Sequence, residues 1–201
     1  MKKLFLLFSG LFLVNCTSTD PPALSLPVIC DSTNTAFQQL YNPLNNAVFP
    51  ESLSGYANSV THEYTFNVTT AATICSVGYQ SQSSISNQMH TVEIYDTVTN
   101  TVVSTITNAF SATTTSYASL SSPLVLITGR SYKIKRHSQP ALCCAYGAGR
   151  CVSNTVSNSG NVSFPITFGN LTITDSDFYS GNTNSGDNNN SLPYIDIVFQ
   201  Q

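Results

Sequence analysis

The clearest pattern in the chain is a strict alternation of apolar and polar residues that begins near residue 63. Tyr64, Phe66 and Val68 would share one face of a β-strand, while Thr65 and Asn67 would face the other way. Similar short segments follow, separated by turn residues. The predicted strands are residues 63–68, 73–79, 91–95, 101–106, 117–120, 124–127, 131–136, two between 161 and 174, and 194–199. About nine or ten such strands predict an all-β fold, an antiparallel, jelly-roll-like β-sandwich.

Two details of this pattern make specific predictions. Residues 91–95 and 101–106 flank a polar turn and are predicted to form a hairpin. Pro123 is predicted to separate two short strands, residues 117–120 and 124–127.

The segment before the alternating region has no clean period. Residues 28–62 are predicted to form an irregular lead-in that packs on the main domain, residues 63–201. Apolar residues from about Thr35 fit one side of a short helix, which Pro43 would end early. A strand in this segment is the alternative.

The composition supports a folded β-protein that does not bind nucleic acid. Charged residues make up 8% of the chain, against about a quarter in an average domain. Thr, Ser and Asn supply the polarity, and these residues suit strands and turns better than helices. The hydrophobic fraction of 41% argues against disorder. A net charge of −3 with only seven Lys and Arg excludes an electrostatic nucleic-acid interface.

The N-terminus has the features of an export signal. A basic start, Met1-Lys2-Lys3, precedes an apolar run at residues 4–14 that is too short for a permanent membrane span. Leu13-Val14-Asn15-Cys16 resembles a bacterial lipobox of the looser kind found in Bacteroidetes lipoproteins. The resemblance implies a signal peptide at residues 1–15, a lipidated Cys16 and a flexible tether at residues 16–27. The alternative is an ordinary signal peptide that is cut elsewhere, with Cys16 incidental.

The lipid would attach the protein to the bacterial envelope. Several acyl chains together give stable membrane attachment, so we expect an exported protein, anchored at the outer membrane. The sequence leaves open whether it faces the periplasm or the cell surface.

The order of several motifs resembles a known family. These motifs are the aromatic strand at residues 64–68, Gly78-Tyr79, residues 91–96, residues 123–126 followed by Gly129 and Tyr132, and residues 194–199. Together they resemble the bacterial domain of unknown function 4082, a jelly-roll module of secreted and surface proteins, often found beside glycan-handling domains. The chain departs from that family by having Tyr95 and Tyr117 where tryptophan is expected, and by its cysteine-rich segment at residues 142–151. The resemblance implies a fold and a non-enzymatic role.

The cysteines of the exported chain can form disulfides. Without Cys16, at most two bonds can form and one thiol is left over. A bond between the adjacent Cys143 and Cys144 would be strained. We expect a bridge that pins the lead-in or the Cys143 loop to the sandwich, and the pairing stays open. The candidates are Cys30, Cys75, Cys143, Cys144 and Cys151.

Metal sites are alternatives with less support from the sequence. His137 and the three cysteines of residues 143–151 match no familiar zinc spacing. Asp175, Asp177 and Asp187, beside an Asn-rich loop, offer oxygen ligands for calcium. No other cofactor is predicted.

Four tyrosines are candidates for ligand binding, because aromatic rings stack on sugars: Tyr79, Tyr95, Tyr117 and Tyr146. The alternative is that most of them pack in the core or across strands. A catalytic set is not evident, since the chain has no Gly-x-Ser-x-Gly motif, its histidines are far apart, and no pair of carboxylates is distinguished by its context.

The sequence therefore leads to three hypotheses. The first is a non-catalytic envelope lipoprotein whose sandwich binds or adheres to a partner, with a glycan as the favoured ligand. The second is a structural or partner-docking subunit that contacts another envelope protein. The third is an envelope hydrolase that acts on a glycan.

Overall fold

A computed structural model describes residues 29–52, 61–82, 88–138, 149–153, 161–180, 183–184 and 189–201. These ranges contain one helix, α1 (Ala36–Tyr41), followed by a 3-10 turn at Asn42–Leu44. The strands are β1 (Glu51–Ser52), β2 (Thr61–Val68), β3 (Ala72–Tyr79), β4 (Met89–Asp96), β5 (Thr101–Ala109), β6 (Ser116–Leu126), β7 (Tyr132–Ser138), β8 (Cys151–Ser153), β9 (Ile166–Phe168), β10 (Leu171–Ser180), β11 (Thr183–Asn184), β12 (Ser191–Pro193) and β13 (Ile195–Phe199).

The strands form three antiparallel sheets. The main sheet has the order β11-β10-β2-β7-β4-β5, and β9 also pairs with β10. The second sheet has the order β13-β3-β6, and a small third sheet has the order β1-β8-β12. Together they form a sandwich-like all-β fold, which confirms the predicted antiparallel sandwich. Four of these strands were not predicted, and each is two or three residues long: β1, β8, β11 and β12.

The predicted alternation on β2 is confirmed. Tyr64, Phe66 and Val68 are fully buried, whereas Thr65 and Asn67 are half-buried on the other face. The three inward side chains belong to one hydrophobic cluster with residues of the second sheet and of α1. The hydrophobic effect of burying this cluster is the main contribution that holds the two sheets together.

The predicted hairpin is also confirmed, because β4 and β5 pair along their whole length. The prediction of two strands separated by Pro123 is wrong, since β6 is continuous through it. Ile74 of β3 pairs with Leu124 and Ser76 pairs with Ser119, so residues 120–123 lie opposite Cys75 alone. Pro123 falls within this bulge, where the strand does not need its missing N–H.

The lead-in contains the short helix that the sequence predicts. Thr35 is the N-cap of α1, and its Oγ1 accepts a hydrogen bond from the backbone N of Gln38 at 3.0 Å. Pro43 lies in the 3-10 turn that follows. Phe37 is fully buried, with its ring 5.5 Å from that of Tyr64, so the helix contributes to the core.

A disulfide joins the lead-in to the sandwich. Cys30 is bonded to Cys75 of β3, with a Cα–Cα distance of 6.0 Å, which agrees with the predicted role of such a bridge. Cys151, another candidate for a disulfide, is instead a buried free thiol. Burial raises the pKa of this thiol to about 12, which keeps it protonated. Cys16, Cys143 and Cys144 lie outside the described residues, as do the predicted signal peptide and tether.

The turns after β2, β4, β6 and β9 meet at one end of the sandwich, which we call the turn end. Backbone hydrogen bonds connect these turns to one another: Thr97 N to Ser131 O (3.2 Å), Gly129 N to Val68 O (2.8 Å) and Thr69 N to Asn170 O (2.9 Å). The opposite end, which we call the loop end, carries the first residues of β2 and β4 and the last residues of β3, β7 and β10. In the described ranges, no helix has the length and apolar character needed to traverse a membrane.

Candidate functional site

The outer face of the main sheet carries a row of charged side chains that runs across its strands. In register, Asp177 of β10 pairs with Glu63 of β2, Glu63 with Lys135 of β7, and Lys135 with Glu93 of β4. Further polar and charged side chains lie next to this row on the same face of the sheet. We call the following set the outer-face cluster: Thr61, Glu63, Glu93, Tyr95, Lys133, Lys135, His137, Asp177 and Tyr179.

Glu63 is the centre of the cluster. Its side chain is only 2% exposed, and its Oε1 accepts from Lys133 Nζ and, at 2.8 Å, from Tyr179 Oη. Its Oε2 lies 3.2 Å from Lys135 Nζ. Two cations and a hydroxyl therefore offset the cost of removing this carboxylate from water. They also fix its orientation.

The Tyr179 hydroxyl lies between two carboxylates. It is 2.8 Å from Glu63 Oε1 and 3.0 Å from Asp177 Oδ2, but it has only one proton to donate. Burial raises the pKa of Asp177, and the nearby Glu63 adds to this effect. A proton on Asp177 would satisfy both contacts, since Asp177 would then donate to Tyr179 while Tyr179 donates to Glu63.

His137 connects a hydroxyl to a carboxylate. Its Nε2 is 2.9 Å from Glu93 Oε2, and its Nδ1 is 3.2 Å from Thr61 Oγ1. Burial lowers the pKa of His137, although Glu93 opposes this effect. In the neutral ring, Nε2–H donates to Glu93 and Nδ1 accepts from Thr61. A hydroxyl, an imidazole and a carboxylate follow one another as in a hydrolytic triad. Thr61 is only 5% exposed, however. Its hydroxyl therefore orients the His137 ring and does not face a substrate.

Two aromatic rings flank the central lysine. Lys135 Nζ lies 5.1 Å from the centre of the Tyr95 ring and 6.0 Å from that of Tyr179, within the range of cation–π attraction. Tyr95 Oη donates to Glu93 Oε2 at 2.6 Å. Burial and this hydrogen bond raise the pKa of Tyr95 to about 12. Rings, cations and carboxylates thus hold one another in fixed positions on the sheet.

The predicted tyrosines have different environments. Tyr79 is fully buried, so it has no free ring face for a ligand. Tyr117 is half-buried, and its hydroxyl donates to Asp196. Tyr95 lies in the outer-face cluster, and Tyr146 lies outside the described residues. Sequence reasoning missed Tyr179, although the alternation of Asp175, Asp177 and Tyr179 with buried neighbours would have placed it on a strand.

The metal candidates do not come together within the described residues. Asp175 and Asp177 lie in strand β10 rather than in a loop, and Asp187 lies outside the described ranges. His137 is on the outer face of β7, whereas Cys151 is fully buried. No group of three or more His, Cys, Asp or Glu in the described part of the chain could hold a metal ion.

A second group of polar residues lies inside the sandwich near the loop end. Arg136 is fully buried, with its guanidinium 5.4 Å from the centre of the Tyr79 ring. His62 of β2 pairs in register with Arg136. The centre of its ring lies 4.4 Å from the centre of the Phe178 ring. Burial lowers the pKa of His62 well below its usual value, and Arg136 and His90 add to this effect. Sequence reasoning missed this group, because basic residues on a strand usually face solvent.

The comparisons with known proteins do not assign a family. The chain matches no protein-family model and no curated protein. The resemblance to the domain of unknown function 4082 therefore stays a prediction.

Proposed function

We propose that this protein is a non-catalytic, lipid-anchored module of the bacterial envelope that binds a glycan on its outer-face cluster. The observation that carries the proposal is the arrangement of Tyr95 and Tyr179 around Lys135, beside carboxylates held in place by their own partners. The lipobox-like residues 13–16 support the anchor.

The chemistry of the cluster suits a polyhydroxylated ligand. A sugar presents hydroxyls that both donate and accept, together with apolar C–H faces. The cluster offers partly exposed donors at Lys133 and Lys135, a partly exposed acceptor at Glu93, and the ring of Tyr95. Because these groups are ordered by one another, binding would not have to order them first.

A binding assay with matched variants tests this proposal. The full chain is screened on a glycan array, and the Kd of each hit is measured by calorimetry. We expect Tyr95→Ala and Lys135→Ala to raise the Kd about tenfold or more, which corresponds to about 1.4 kcal/mol. Phe168→Ala is the control, since it removes a half-exposed ring at the turn end. Absence of any hit at millimolar sugar, or equal Kd values for Tyr95→Ala and the native protein, would contradict the proposal.

The same assay separates binding from hydrolysis. Released reducing ends that disappear in Glu93→Gln would indicate a glycan hydrolase, because glycosidases act through carboxylates and the Glu93 carboxylate is partly exposed.

A second candidate function is docking to another envelope protein. Strand β5 is the last strand of the main sheet and contains no charged residue. Val102 and Val103 are 43% and 38% exposed. Such an edge can accept a strand from a partner. Co-purification of one defined envelope protein, lost in Val103→Lys and retained in Tyr95→Ala, would favour this function over glycan binding.

A further inference from the structure

Exposed apolar side chains are concentrated at the turn end. The described part of the chain exposes nine large hydrophobic residues, and six of them lie at or next to the turns and termini that meet there. These six are Ile29 (58% exposed), Val98 (70%), Val102 (43%), Val125 (67%), Ile127 (55%) and Phe168 (45%). Single exposed hydrophobics are ordinary, but a concentration at one end of a domain is typical of a contact surface.

The turn end has little charge to attract a polar partner. Among the described residues there, Asp96 and Arg130 form an ion pair with each other. Asp31 accepts hydrogen bonds from the backbone N and the hydroxyl of Thr33, both at 2.8 Å. The rest of the turn end consists of apolar residues with Tyr, Thr, Ser, Asn, Gln and Gly. The next charged side chain, Lys133 at the level of Val102, is paired with Glu63. This composition suits contact with lipid better than contact with a charged protein surface.

The described chain also begins at the turn end. Ile29 O accepts from Gln201 N at 3.0 Å, and the disulfide of Cys30 holds the next residue on β3. Cys16 precedes Ile29 by 13 residues, which span at most about 45 Å when fully extended. A flexible chain of this length has a typical end-to-end distance of about 20 Å, which is shorter than the roughly 27 Å that an eight-residue strand such as β2 spans. A lipid on Cys16 would therefore favour the turn end over the loop end at the bilayer.

We propose that the turn end is a second membrane contact, with Val98, Ile127 and Phe168 resting in the lipid interface around the anchor. The inference depends on the lipid anchor proposed above. Once the anchor is inserted, the tether gives the turn end a high effective concentration at the bilayer, so a few apolar side chains suffice. In this orientation the loop end points away from the membrane, and the outer-face cluster stands to the side, accessible to a glycan.

The absence of tryptophan from the chain makes a sharp test available. Ile127→Trp and Val98→Trp place single reporters in two different turns of the turn end. Met89→Trp is the matched control, because Met89 is 41% exposed but begins β4 at the loop end. The full lipidated protein is reconstituted in phosphatidylcholine vesicles, with and without brominated acyl chains that quench tryptophan on contact.

We expect both turn-end reporters to shift to the blue and to lose fluorescence in brominated vesicles, and the Met89→Trp reporter to do neither. Flotation of the vesicles reports the anchor separately. If the protein floats but all three reporters behave alike, the orientation is overturned and the anchor stands. If the protein does not float, both proposals fail. A blue shift that depends on protein concentration but not on bromine would mean that a second copy covers the turn end, which also overturns the proposal.

Discussion

Tyr117 reaches Asp196 by crossing over Gly78. Tyr117 of β6 and Asp196 of β13 are both register partners of Gly78 on the strand between them. Tyr117 Oη lies 2.9 Å from Asp196 Oδ2, and a Cβ on Gly78 would lie 2.3 Å from the tyrosine ring. The missing side chain at Gly78 therefore makes room for a hydrogen bond that spans the second sheet.

Substitution of Gly78 should displace the ring of Tyr117. We expect Gly78→Ala to lower the free energy of unfolding by about 1–3 kcal/mol, the usual cost of overpacking. Tyr117→Phe should cost about 1 kcal/mol, since it removes only the hydroxyl. Urea denaturation measures both. In a Tyr117→Ala background, Gly78→Ala should lose most of its cost, and an undiminished cost there would disprove the steric explanation.

Loss of the Asp196 carboxylate should weaken the attachment of α1. Besides Tyr117, Asp196 accepts from Thr35 Oγ1 at 2.6 Å and from Gln38 Nε2 at 2.8 Å. Asp196→Ala leaves three donors without their acceptor, and we expect a loss of about 2–4 kcal/mol in unfolding free energy. Asp196→Asn should lose less, because the amide oxygen still accepts. Equal losses in the two variants would show that these hydrogen bonds do not govern stability.

The buried His62 should make the protein sensitive to acid. Its pKa in the folded state is lowered by burial, then by Arg136 and His90, so the unfolded chain takes up a proton at a higher pH than the folded protein does. The contribution of His62 to the free energy of unfolding is therefore fully present above about pH 6.5, and it decreases as the pH drops below that value. The slope from one proton is at most about 1.4 kcal/mol per pH unit. His62→Phe should reduce the slope measured by denaturation between pH 7 and pH 5, whereas an unchanged slope would assign the effect to other groups.

Removal of the Cys30–Cys75 disulfide should destabilise the whole domain. The bond closes a loop with a sequence separation of 45 and holds the lead-in against β3. We expect the double variant Cys30→Ser, Cys75→Ala to lose about 2–4 kcal/mol. Thermal unfolding with and without reductant provides the control, because reductant should lower the Tm of the native protein much more than that of the variant. An equal response of the two proteins would mean that the bond does not constrain the chain.

Local signals in the sequence determined much of the fold. The alternation at Tyr64, Phe66 and Val68 predicted β2 and its buried face, because a strand has a period of two wherever it lies. Thr35 and Pro43 predicted the bounds of a short helix, because capping and proline geometry act over a few residues.

The candidate site depended on contacts between distant segments. The sequence could place Tyr95 on a strand, but nothing local indicated that Glu63, Lys135 and Tyr179, from three other strands, would lie beside it. The continuous β6 through Pro123 likewise depends on a bulge opposite Cys75, which only the pairing with β3 defines.

The sequence by itself thus determined the class of fold, the strands that repeat with a period of two, and the residue types available for binding. Only the tertiary structure decided which strands are neighbours and in what register, and hence that charged residues form one row on the outer face while His62 and Arg136 face inward. The physical reason is that alternation separates the two faces of a single strand without saying which strand lies beside it or in which register. That choice is made by packing between the sheets, to which every strand contributes.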